Sequence, residues 1–155
     1  MRSIAVTLRR IAFAVAATVV ILDQATKAWA QGTLPGDPIV IIDGFFRFRF
    51  VTNSGAAFGL LRGAGSLLAL AAIIAAVLIA IAVRSLDRRL EAVALGMVLG
   101  GAIGNLMDRV FRGDGFLDGR VIDWIDFSFW PTFNLADSAI TIGAVLAVLG
   151  LLRNP

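Results

Sequence analysis

Residues 63–83 run for 21 positions without a charged side chain. As an α-helix rising 1.5 Å per residue, that stretch reaches about 30 Å, the thickness of a bilayer's hydrocarbon core. No soluble fold easily buries such a segment on every side. Three more apolar runs accompany it: 11–22, continuing past Asp23 and Lys27 to Ala30; 92–107, ending on Asp108 and Arg109; and 138–152, closing at Arg153. The expected helices span about 11–30, 63–83, 92–110 and 134–152. The third and fourth runs hold only 16 and 15 uncharged residues, so Asp108 and Asp137 must sit at the membrane edge for both to cross. A chain of 155 residues, 59% hydrophobic and 16% charged, with four such runs is an all-α membrane protein forming one domain over 1–155. The first run admits a competing reading as a cleaved signal peptide, since Arg9-Arg10 precede it and Ala28-Trp29-Ala30 resembles a processing site. Asp23 and Lys27 fall where such a site carries small neutral residues and argue against it.

Between the first two helices, Ile39-Val40-Ile41-Ile42 and residues 45–51 flank Asp43-Gly44, a dipeptide suited to a tight turn. This predicts a β-hairpin over about 39–52. Phe46, Phe48 and Phe50 alternate with Arg47 and Arg49, giving one aromatic and one basic face, as a sheet resting on a bilayer surface would have. Residues 111–130 are expected to form a loop. Seven Lys or Arg lie on each side of a four-helix arrangement; setting aside Lys27 and Arg109 at helix ends leaves seven against five, favouring cytoplasmic termini in a bacterial inner membrane and a periplasmic hairpin and loop.

The chain has no cysteine and no histidine. A Ser-His-Asp triad, a Cys-His pair and an H-E-x-x-H zinc site are therefore excluded, and hydrolytic chemistry must come from carboxylates, lysine, serine or threonine. No metal or other cofactor is implied. The sequence pI near 11.0 reflects basic tracts beside apolar runs rather than a nucleic-acid surface.

Helix parity then brings the polar residues together. Asp23 and Lys27 end the first helix, Asn105, Asp108 and Arg109 end the third, and Asp137 begins the fourth, so all lie at one end of the bundle with Asn53 and Asp123. Ionisable groups at the edge of hydrocarbon either pair or work. Asp23 and Lys27, spaced i, i+4, can pair; Arg109 can hold a carboxylate or a substrate carbonyl with its planar fork. Asp123 and Asp137 remain, free to approach across the bundle mouth. Two carboxylates in one site share a proton, which is the apparatus of aspartyl proteolysis. Spacing alone leaves ion-coupled transport and plain interhelical bonding open.

Five motifs in order carry a resemblance to a known family: Asp23-Gln24-Ala25-Thr26-Lys27, Thr52-Asn53-Ser54-Gly55-Ala56-Ala57-Phe58, Gly104-Asn105-Leu106-Met107-Asp108-Arg109, Val121-Ile122-Asp123-Trp124 and Phe133-Asn134-Leu135-Ala136-Asp137-Ser138. Over nearly its whole length the chain resembles lipoprotein signal peptidase, or signal peptidase II. The resemblance implies that Asp123 and Asp137 are the catalytic pair, that Asn53, Gly55, Asn105, Asp108, Arg109, Asn134 and Ala136 line or order the site, and that Asp23 and Lys27 support it. It implies a diacylglyceryl-modified prolipoprotein as substrate, cut before the lipidated cysteine, contact with membrane lipid, sensitivity to globomycin, and a monomer. Trp124 stands where such proteins often have Phe, which touches local packing only. A small ion- or proton-coupled transporter is the alternative, with Asp23, Asp108 and Asp137 as a relay; the absence of inverted repeats weighs against it.

Overall fold

The computed structural model describes residues 2–55, 65–115 and 117–152. Positions 63–64, the expected start of the second helix, and 56–58 of the second motif lie outside them. Four helices, α1 (Arg2–Thr33), α2 (Gly65–Ala82), α3 (Arg89–Phe111) and α4 (Leu135–Leu152), are joined by a small sheet of β1 (Ile39–Ile42), β2 (Phe46–Asn53) and β3 (Val121–Phe127). Each helix is long and apolar enough to cross a membrane, as the hydropathy pattern requires, and the protein is a multi-pass membrane protein. A 3-10 turn over Val83–Ser85 joins α2 to α3. α1 is longer than the predicted 11–30, because its polar first turns continue the helix beyond the apolar run.

Helix α3 is the centre of the bundle: α1, α2 and α4 all pack on it. It qualifies through glycine. A Cβ on Gly96 or Gly100 would lie 2.5 or 2.6 Å from the carbonyl oxygens of Ala12 and Ala16 in α1, and one on Gly101 would lie 2.5 Å from that of Ala136 in α4. Backbones in apolar surroundings approach this closely only where side chains are absent, and close packing then replaces the hydrophobic driving force that lipid does not supply.

The sheet differs from the expected hairpin by one strand. β2 pairs antiparallel with β1 and with β3, so residues 121–127 are strand and not part of a loop over 111–130, and Asp123 is held in a ladder. The turn between β1 and β2 uses Gly44 at φ 67°, a conformation that costs other residues energy. The register with β3 slips by one residue between Phe48 and Val51, and there the exposed and half-buried alternation of β2 changes phase. Without this bulge, Val51 and Asn53 would continue the face of Arg47 and Arg49. With it, Asn53 reaches Asp123. Aromatic rings fasten the sheet to α1: Trp29 meets Phe48 and Trp124 edge-on at 5.7 and 5.4 Å. Trp124 Nε1 has no hydrogen-bond partner among the described residues.

Candidate active site

At one end of the bundle the charges sort into two layers. The deeper layer centres on Lys27, fully buried in α1. Its ammonium lies 2.8 Å from Asp23 Oδ2 and 2.9 Å from Asp108 Oδ2, and donates to Asn105 Oδ1 at 2.8 Å. All three N–H directions are used, as a buried ammonium requires. Asp23 Oδ1 accepts from the Ala136 amide at 3.0 Å, which pins the first turn of α4 to α1. Asp108 Oδ2 also accepts from the Ile122 amide at 3.2 Å, and Asp108 Oδ1 accepts from Arg112 Nε at 2.9 Å. The deeper layer thereby fixes α1, α3, α4 and β3 against one another. Gln24, which sequence reasoning passed over although it lies inside the first motif, donates to the Gly104 carbonyl and to Asp108.

Above it lie Asp123, from β3, and Asp137, from the first turn of α4. Asn134 precedes α4 and closes a capping box: Asp137 N donates to Asn134 Oδ1 at 2.9 Å, and Asn134 N donates to Asp137 Oδ2 at 3.3 Å. The same asparagine donates through Nδ2 to Asp123 Oδ1 at 2.7 Å, so one residue orients both carboxylates. Asn105 donates to Asp137 Oδ1 at 2.7 Å and Asn53 to Asp123 Oδ2 at 3.1 Å. Each of the four carboxylate oxygens has one donor, and Asn105 ties this layer to Lys27 below.

Burial, first, and then the charge of Asp137 push the Asp123 carboxyl up to about 7, against the opposing bonds from Asn53 and Asn134. A side chain 2% exposed loses most of the hydration that would stabilise its anion. Farther along the sheet, burial alone would raise Asp126, but Arg47, Thr132 and Arg49 outweigh it and hold that carboxyl below its usual range.

Asp123, Asp137, Asn53, Gly55, Asn105 and Arg109 line one cavity of about 410 Å³. Its remaining wall is apolar, including Leu68, Ala72 and Ala75 of α2 and Ile140 of α4. Arg109 is 7% exposed; its Nη2 donates to the Gly55 carbonyl at 3.1 Å, while Nη1 is buried with no partner among the described residues. Of the residues expected at the site, Asp108, Asp23 and Lys27 stand beneath this cavity rather than in its wall, and Ala136 contributes its backbone amide. Asp108 and Arg109, adjacent in sequence, turn to different partners, as neighbours about 100° apart on a helix must.

A buried carboxylate on β3 and a half-buried one on α4, each oriented by asparagines, open on a cavity with an apolar wall between membrane-spanning helices. The family described as Signal peptidase (SPase) II matches residues 15–153. The chain belongs to the signal peptidase II family. Lipoprotein signal peptidase of Mycobacterium avium (strain 104) is 45% identical over 141 residues, covering 90% of this chain and 78% of the relative. That of Rhodococcus jostii (strain RHA1) is 40% identical over 142 residues, covering 91% and 72%. A bacterial membrane enzyme solved by the in meso method at 2.3 Å superposes with a TM-score of 0.81 at 32% identity, over 92% of this chain and 88% of that one. This member of the signal peptidase II family is accordingly an aspartyl peptidase with four candidate spans, and the transporter alternative receives no support.

Proposed function

We propose that this protein removes the signal peptide from diacylglyceryl-modified prolipoproteins in the bacterial inner membrane, cutting before the lipidated cysteine with Asp123 and Asp137 as the catalytic pair. The observation that carries the reading is the shared cavity: both carboxylates, Asn53, Asn105 and Arg109 face one space walled by apolar residues of α2 and α4. A signal peptide is an apolar helix in the bilayer, and that wall suits it. Asp123, raised to about 7, holds the shared proton; Asp137, whose two oxygens accept from Asn105 and the Asn134 amide, is the ionised partner. Asp137 takes a proton from water, the water oxygen attacks the scissile carbonyl carbon, and Asp123 donates its hydrogen bond to the developing oxyanion. Collapse of the tetrahedral intermediate breaks the C–N bond as a proton passes to the leaving amine. Arg109, anchored on Gly55 with Nη1 unpaired, holds a substrate carbonyl. The chain acts as one domain and as a monomer, with cytoplasmic termini and the cavity near the periplasmic face.

The sheet cradles the substrate at the membrane surface. In support, Ile39, Val40, Ile41, Ile42, Phe45 and Trp130 are all at least 40% exposed, as groups resting on lipid would be. Globomycin is expected to compete for the same cavity. Lipidated and unlipidated forms of one prolipoprotein, incubated with the protein in lipid, test the reading by gel mobility and mass of the product. Cleavage of the lipidated form alone, leaving cysteine at the new N-terminus, is expected; equal cleavage of both forms would refute the lipid requirement.

A further inference from the structure

A second cavity lies on the other side of the strand pair β2–β3 from the carboxylates. It measures about 350 Å³ and is lined by Gln31 at the end of α1, Phe50 and Thr52 of β2, Arg112 after α3, Arg120 before β3, and Phe111. Two guanidinium groups face this space. Arg112 is held in place: Nε donates to Asp108 Oδ1 at 2.9 Å and Nη1 donates to Gln31 Oε1 at 2.5 Å, leaving Nη2 for another partner. Arg120 is exposed and has no ion pair or hydrogen bond among the described residues. Among the described residues no carboxylate lines the pocket, and Asp108, the partner of Arg112, is already shared with Lys27, so the pocket keeps an unbalanced positive charge. Asp118 is engaged by the Gly115 amide within its own loop.

The pocket's position names its occupant. It sits where the membrane-spanning helix α3 ends, and Val110 and Phe111 there are 43% and 75% exposed. An apolar ring left that open beside two arginines marks the level at which hydrocarbon gives way to headgroups. A guanidinium fork matches a phosphate in geometry and charge, and Thr52 adds an exposed hydroxyl. We propose that this pocket binds the phosphate of an anionic glycerophospholipid, with Arg112 and Arg120 as its cationic ligands and Phe111 against the first part of the acyl chains. The occupant is a bilayer lipid, not the lipid carried by a substrate, since the carboxylate pair lines a different cavity. Arg112 and the Ile122 amide share Asp108, so lipid binding braces the strand that carries Asp123.

Native mass spectrometry of the full chain, released from micelles holding phosphatidylglycerol or phosphatidylcholine of identical acyl chains, tests this without any activity readout. Its failure is therefore separable from failure of the peptidase reading. Wild type should retain phosphatidylglycerol in preference to phosphatidylcholine, and Arg120→Gln should lower that retention about fivefold, the effect of one interfacial cation on an anionic lipid. Arg89→Gln, removing an equal charge at the opposite end of the bundle, should leave it near the wild-type value. Inorganic phosphate at millimolar concentration should not displace the lipid. Equal retention by wild type and Arg120→Gln, equal losses in the Arg120→Gln and Arg89→Gln variants, or displacement by inorganic phosphate would each overturn the proposal. Melting of every variant is followed so that a misfolded protein is not scored, and Arg120→Lys, which keeps the charge, should restore part of the retention.

Discussion

Replacing Asn53 with Ala tests the proton arrangement through a group that does not titrate. Asn53 Nδ2 donates to Asp123 Oδ2 at 3.1 Å and opposes the rise of that carboxyl from 3.8 to about 7. A hydrogen bond to a charged group contributes about 1.5–3 kcal/mol, and 1.36 kcal/mol corresponds to one pKa unit, so removing it should lift Asp123 by at least about one unit. With Asp123 as the proton-holding member, kcat/KM of the wild type falls as pH rises through about 7. In the Asn53→Ala variant that falling limb should move upward by at least about one unit, whatever happens to the absolute rate. The assay is the pH profile of kcat/KM on a lipidated prolipoprotein, with melting followed at each pH because Asn53 also accepts from the Gly55 amide at 2.9 Å. A limb that stays in place or moves toward lower pH, in a variant that melts like wild type, would refute the assignment of the proton to Asp123.

Other consequences concern stability. Because the Asp123 carboxyl titrates near 7 in the folded protein and near 3.8 unfolded, its contribution is intact below about pH 4 and is lost as pH rises toward 7. The wild type should lose up to about 4 kcal/mol over that window, and Asp123→Asn should flatten this part of the pH dependence of melting. Lys27→Met leaves Asp23 and Asp108 buried without their cation; a loss of about 3–5 kcal/mol is expected, read as a lower melting midpoint in detergent. Gly100→Ala puts a methyl 2.6 Å from the Ala16 carbonyl oxygen and 2.8 Å from Val19 Cβ. It should force α1 from α3 at about 1–3 kcal/mol and lower the midpoint.

Much of this architecture is legible in the sequence because the bilayer restricts it so strongly. Helix parity alone gathers Asp23, Lys27, Asp108 and Asp137 at one end, and the i, i+4 spacing identifies the Asp23–Lys27 pair, observed at 2.8 Å. The partnership of Lys27 with Asp108 was not readable, since it depends on how α1 and α3 are rotated, and that is set by Gly96 and Gly100 lying against Ala12 and Ala16. The third strand did leave a signal: Val121-Ile122-Asp123-Trp124-Ile125-Asp126-Phe127 is rich in β-branched and aromatic residues after a glycine-rich stretch. Strands are poor in aspartate, and this one holds two. Both turn out to be buried, one bonded by asparagines and the other by arginines. The bulge in β2 was beyond reach, because period-two alternation fixes a face only while pairing stays in register. Arg112 and Arg120 lie in a segment without periodicity, and only the folded chain brings them to one cavity.

The central claim is that Asp123 and Asp137 act together on water. Single-turnover cleavage of a lipidated prolipoprotein by wild type, Asp123→Asn and Asp137→Asn, each folded by melting and circular dichroism, tests it most directly. Each variant should lose at least about a hundredfold in rate, the scale of acid–base catalysis by a positioned side chain, and the double variant should be little worse than either alone. If either folded variant cleaved at the wild-type rate, or if the two losses simply multiplied in the double variant, the carboxylates would not be the cooperating pair described.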